Sequence, residues 1–249
     1  NAEVARASGA DLMLLNGFDL LNPQIGGLPQ CNDPIKELKR LVGRPIGANI
    51  EPVDLNADML ESRLEIPEGR QCSEKTLQAA QELGLDFICL TGNPGTGVTN
   101  NAIVKAIELA KKHFSGLIIA GKMHGAGVNE PICDLKTIEE FINVGADIIL
   151  VPAVGTVPAF TEEQLISIVN CAHEKGALVL TAIGTSQEGS SSVVIEQFGL
   201  KNKVCGVDIQ HIGDAGYSGL APVENIFALS SSIRGIRHTL TMISRSINR

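Results

Sequence analysis

GADLMLL at residues 9–15, GLDFICL at 84–90 and GADIILV at 145–151 are three copies of one joint. In each copy a glycine closes a helical stretch, and an apolar run of strand length begins three residues later. Glycine accepts the left-handed backbone of a helix C-terminus without steric cost, so each copy reads as helix, cap, strand. The runs are continuously apolar rather than alternating. That is the pattern of a parallel sheet covered on both faces.

Outward from these joints the same rhythm continues. Helical periodicity covers residues 2–9, 34–42, 74–83, 100–114, 135–144, 162–175 and 192–198, and resumes from 222 toward 246. Ile103, Val104, Ile107, Ala110 and Phe114 share one face of their helix. Strand-length runs lie at 12–15, 46–50, 87–90, 117–120, 148–151, 178–182 and 204–209. The series opens on a helix, so a strand is expected before it. Seven runs plus one make eight, and the expected fold is a (β/α)8 TIM barrel with its first strand upstream of or missing from this chain. In that count 12–15 is the second strand and 204–209 the eighth. An open doubly wound sheet, the alternative, calls for G-x-G-x-x-G after an early strand, and none is present. With 249 residues, one domain over 1–249 is expected.

Composition narrows the function. The chain has no Trp, one Tyr and seven Phe, which leaves little to stack on nucleobases. A net charge of −8 without basic runs disfavours nucleic acid and anionic membranes. No apolar run is long enough to span a bilayer, and the N-terminal residues do not resemble a signal peptide. A cytoplasmic protein is expected. The six cysteines show no C-x-x-C spacing and read as small reduced core residues.

A barrel carries its chemistry at the C-terminal ends of the strands. Alternation along the strands then selects a ring of inward polar residues: Asn16, Asn49, Glu51, Thr91, Lys122, Thr181, Asp208 and Gln210. Lys122 reads either as a structural ion pair with Glu51 or Asp208, or as a Schiff-base amine or charge clamp. His124 follows it by two residues, as a general acid or base or a loop histidine bonded to backbone. Catalytic roles are expected for Lys122, Glu51, Asp208 and His124. Substrate contacts are expected from Asn16, Asn49, Thr91, Asn93, Thr181, Gln210 and His211. His113 and His173 sit near helix C-termini, where they complement the dipole.

Two glycine-rich turns complete the mouth. GTSQEGSSS (184–192) follows the seventh strand and HIGDAGYSG (211–219) the eighth. In barrels that pair of turns often holds a phosphate, so Gly184, Thr185, Ser186, Gly213, Asp214, Gly216, Ser218 and Gly219 are the expected anion grip. GNPGTGVTNN (92–101) lacks G-K-[ST], and no nucleotide cofactor is expected. A divalent metal shared by Glu51 and Asp208 stays open. The long stretch 52–73 reads as a lid or a solvated excursion. The last helix reads as barrel cover or as the face of a homo-oligomer.

HIGDAGYSGLAPVENI, FICLTGNPGTGVTN, IAGKMHGAGV and LTAIGTSQEG together resemble a family of uncharacterised bacterial TIM-barrel proteins. Its members are often labelled haloacid dehalogenase-like hydrolases or phosphoenolpyruvate phosphonomutase-like proteins. The resemblance implies the barrel and a strand upstream of the chain. It transfers no catalytic residue, because the D-x-D nucleophile of the hydrolases has no counterpart here. The expected function is a lyase or isomerase acting on a small phosphorylated or carboxylated metabolite. A metal-assisted hydrolase and a non-catalytic metabolite-binding barrel are the alternatives.

Overall fold

The computed structural model describes residues 1–214 and 219–247. Seven parallel strands form one sheet in strict chain order: β1 (Met13–Leu15), β2 (Ile46–Ile50), β3 (Phe87–Leu90), β4 (Leu117–Gly121), β5 (Ile148–Pro152), β6 (Leu178–Ala182) and β7 (Ile209–His211). Helices α1 (Ala2–Ala7), α2 (Pro34–Val42), α3 (Glu74–Glu82), α4 (Asn100–His113), α5 (Leu135–Asn143), α6 (Glu162–Glu174), α7 (Ser192–Val204), α8 (Val223–Arg234) and α9 (Ile236–Ser244) cover it. Sequential order with every neighbour parallel is the topology of a singly wound βα barrel. It rules out the doubly wound alternative, whose strand order reverses.

Two apolar layers confirm the curl. Phe87, Cys89, Ile119, Ile148, Leu150, Leu180 and Ala182 pack on one another inside the sheet, joined by Leu14, Met123 and Ile209. Ile88, Leu90, Ile118, Ala120, Ile149, Val151 and Val179 pack outward with helix residues such as Ile107, Phe141 and Ile168. Gly121 permits the close approach of β4 to β5: a Cβ there would lie 2.0 Å from Leu150 O, and its φ is +147°.

The joint that opened the sequence has four copies. Gly206-Val207-Asp208 is the fourth, and it moves the last strand from 204–209 to Ile209–His211, with α7 running on to Val204. In three copies the aspartate carboxylate accepts the backbone N–H at the start of the preceding strand. Asp86 takes Ile46 N at 2.7 Å, Asp147 takes Ile118 N at 2.8 Å and Asp208 takes Val179 N at 2.8 Å. The repeat is therefore a strap between paired strands at the N-terminal face of the barrel. In the first copy Asp11 Oδ2 pairs with Arg234, and Asp11 Oδ1 is buried without a partner. Among the described residues β1 and β7 each pair on one side only.

The last helical stretch breaks at Gly235, whose φ is +80°. Past the break, Arg44 reaches the carbonyls of Met242 and Arg245, which latches α9 to the entry of β2. The stretch 52–73 is pinned rather than free. Leu60 N bonds Gly127 O at 2.8 Å and Leu64 N bonds Gly95 O at 2.8 Å, across the turns after β3 and β4.

Candidate active site

At the C-terminal ends of the first three strands a polar network faces the lumen. Asn16, just past β1, and Asn49, on β2, lie on the same parity as the interior residues Leu14 and Cys89. Asn49 Nδ2 donates to Asn16 Oδ1 at 3.0 Å, and Asn93 Nδ2 donates to the same oxygen at 3.0 Å. Glu51 anchors the group. It is 1% exposed and takes Arg70 Nη2 at 2.6 Å, Asn93 N at 2.8 Å and Asn93 Nδ2 at 2.9 Å. A carboxylate with this many donors is a fixed positioning group for the asparagines. Thr91, beyond β3 on the interior parity, is 1% exposed. Its Oγ1 and Asn49 Oδ1 are buried with no hydrogen-bond partner. Native structures rarely leave such atoms unmet unless a water or a ligand meets them.

His124 joins this side of the mouth. Its Nδ1 accepts Ala126 N at 3.1 Å, which leaves the proton on Nε2. Burial holds its pKa below the ordinary value, the Lys122 ammonium pushes the same way and Glu51 opposes them. The imidazole is therefore neutral at physiological pH, with a fixed tautomer.

Four ring residues face elsewhere. Gln210 points away from the lumen and donates to Gly199 O of α7 at 3.0 Å. Asp208 lies ahead of β7, strapped to Val179 and paired with His173 at 2.8 Å. With the strand at Ile209–His211, it is Ile209 and His211 that take the interior parity. Thr181 pairs in register with Val151 and Gln210, the helix-facing set. Its Oγ1 is buried without a partner there. Lys122 follows the parity of Ile118 and Ala120, which face helices, so the inward assignment is corrected. Its ammonium is 1% exposed and paired with Glu130, and the same oxygen of Glu130 accepts Asn100 N at the start of α4. Burial lowers the Lys122 pKa and the Glu130 contact opposes it. Glu51 and Asp208 sit at opposite ends of their strands and cannot share one ion. Among the described residues no group of three His, Cys, Asp or Glu side chains is placed to hold a metal.

Within the expected anion grip, Gly184, Thr185 and Gly213 pack against the protein's own atoms. A Cβ on Gly184 would lie 2.4 Å from Met123 Sδ, so Met123 covers that backbone. Thr185 Oγ1 donates to Thr156 O at 3.0 Å. Ser186 adopts a left-handed φ of 70° at the start of a tight turn, and Gly213 backs onto Ile183 O and the Glu188 side chain. Gly219 is exposed, while Gly216 and Ser218 lie outside the described residues.

Arg70, Glu130 and Glu188 escape sequence reasoning. Arg70 arrives on a short turn of the 52–73 stretch, and Glu130 comes from the loop after β4. Glu188 had a visible signal, being the one acid in GTSQEGSSS. All six thiols are free, and burial pushes Cys72, Cys89 and Cys133 up to about 12. Cys133 borders two crevices, one of about 170 Å³ lined by Pro152 at the end of β5 and the loops after β4 and β5, and one of about 280 Å³ between the starts of α5 and α6.

The model of the family described as Domain of unknown function (DUF7916) matches residues 1–249. The chain belongs to the DUF7916 family. No curated protein matches the sequence. Solved structures share the fold of this DUF7916 chain at low identity. The BexX/CysO complex of Amycolatopsis orientalis aligns with a TM-score of 0.53 at 14% identity, over 96% of this chain and 83% of that one. KGPDC from Streptococcus mutans gives 0.52 at 14%, over 94% and 89%. A protein described as a lyase/mutase from Burkholderia cenocepacia gives 0.51 at 18%, over 86% and 74%. At these identities the likeness concerns the TIM-barrel fold. No helix among the described residues is long and apolar enough to cross a membrane.

Proposed function

We propose that this DUF7916 chain is a lyase or isomerase that moves a proton on a small metabolite carrying a carbonyl or carboxylate. The observation that carries the reading is the conjunction at one side of the mouth of two buried, unpartnered polar atoms, Asn49 Oδ1 and Thr91 Oγ1, with a neutral His124. The unmet atoms fit substrate hydroxyl or N–H groups. His124 Nε2–H is the donor for a carbonyl oxygen that gains charge as the neighbouring C–H passes its proton to Glu51 Oε2, the carboxylate oxygen that otherwise accepts Asn93 N alone. Glu51 and Arg70 hold Asn93 and Asn16 in place. A neutral imidazole donates without first having to be charged, and its fixed tautomer avoids reorganisation during the reaction.

Deuterium wash-in tests this directly. In D₂O with a panel of small keto- and hydroxy-acids, the native chain is expected to exchange the C–H beside the carbonyl of its substrate. His124→Phe is expected to slow exchange by about a hundredfold or more. No exchange with any member of the panel, or equal exchange by the variant, overturns the proposal. Saturable binding without exchange points instead to a metabolite-binding barrel.

A further inference from the structure

The corner between the turns after β6 and β7 is where barrels with phosphorylated ligands hold the phosphate, on backbone N–H groups and a helix start. Here that corner holds a carboxylate. Glu188 is 5% exposed, and its Oε2 is buried without a partner. It belongs to none of the ion pairs among the described residues. The side chain lies against the exit of β7: a Cβ on Gly213 would sit 3.3 Å from Glu188 Cδ. Its turn is held rigidly, because Asn225 Nδ2 at the start of α8 donates to Glu188 O at 2.8 Å and to Ser190 O at 2.7 Å. Two positions before Gly213, on the lumen parity, His211 Nδ1 is also buried and unmet, and Asp214 is the carboxylate that acts on its ring.

A buried carboxylate repels a phosphate at short range, and its unmet oxygen needs a donor. An ammonium group offers three donors and a compensating charge. We infer that the buried Glu188 carboxylate beside Gly213 is a subsite for a protonated primary amine, with Glu188 Oε2 accepting an N–H of the ligand. The inference rests on the reading above that the barrel mouth is the ligand site, and it narrows the substrate class to amino-bearing metabolites.

The test titrates the whole chain with ethanolamine and, separately, with inorganic phosphate, following heat of binding and the ¹⁵N signals of the histidine rings. Ethanolamine is expected to bind and to shift the His211 ring signals, while phosphate leaves them unchanged. Glu188→Gln keeps the shape and removes the charge, and is expected to weaken ethanolamine binding by an order of magnitude or more. Should that variant fail to fold, the native-chain ring titration decides alone. A His211 response to phosphate, no response to ethanolamine, or equal affinity in a folded Glu188→Gln overturns the subsite. His124→Phe separates the two proposals, because it should leave ethanolamine binding intact. Amine binding without deuterium exchange sinks the proton-transfer reading and leaves the subsite standing. Exchange together with a His211 response to phosphate does the reverse.

Discussion

Lys122 illustrates how one partner decides the role of a side chain. A buried lysine beside a predicted active site invites a Schiff-base reading, and desolvation does lower its pKa. Yet its ammonium is held by Glu130, whose other bond steadies the first turn of α4. That geometry is a strap between β4 and α4. Replacing Lys122 by Met leaves Glu130 without its cation and is expected to cost about 3 kcal/mol in urea unfolding. The pair Lys122→Met with Glu130→Gln removes both charges and is expected to recover most of the loss. A catalytic amine would respond differently: its single variant would lose turnover at unchanged stability. The sequence held Lys122 and His124 in plain view but not Glu130, which lies eight residues further on in an irregular loop that no periodicity can place.

At the scale of elements, the G-x-D joint explains both the success and the error of strand reasoning. Asn16, Asn49 and Thr91 fall on the lumen side as alternation from well-bounded strands requires. Asp208 and Gln210 do not, because β7 starts at Ile209 and not at Val204. A boundary shift that re-anchors the alternation moves every assignment on the strand to the other face. Gly206-Val207-Asp208 is the signal that fixes the boundary, since Asp86 and Asp147 stand at the same position before β3 and β5. Each of these carboxylates satisfies a backbone N–H of the neighbouring strand that would otherwise lack a partner. Asp147→Ala orphans Ile118 N and is expected to lower stability by about 1–3 kcal/mol, as a shifted denaturation midpoint at unchanged slope. An unaltered midpoint would show that the strap carries no weight.

For the whole molecule, two histidines with depressed pKa values set a pH dependence. Burial is the first cause for both His124 and His211. As pH falls below about 6.5, the unfolded chain takes up these protons before the folded chain does. Their contribution to stability is therefore complete above that value and is lost as pH falls through the folded pKa values. Thermal midpoints are expected to drop between about pH 7 and 5, and more gently for the double variant His124→Gln, His211→Gln. Parallel slopes would refute the assignment. The amino-acid sequence by itself determined the class of fold. Continuous apolar strands, glycine caps and amphipathic helices are local patterns, and burying both faces of a parallel sheet requires them in that order. The site was legible where it followed from alternation along a well-bounded strand, as for Asn49 and Thr91, or from a polar residue close behind a strand end, as for Asn93 and His124. Which charges meet was decided by the tertiary structure. Arg70 reaches Glu51, Glu130 reaches Lys122 and Glu188 backs onto Gly213 across loops of no fixed period, and only the closing curl of the sheet brings those loops to one mouth.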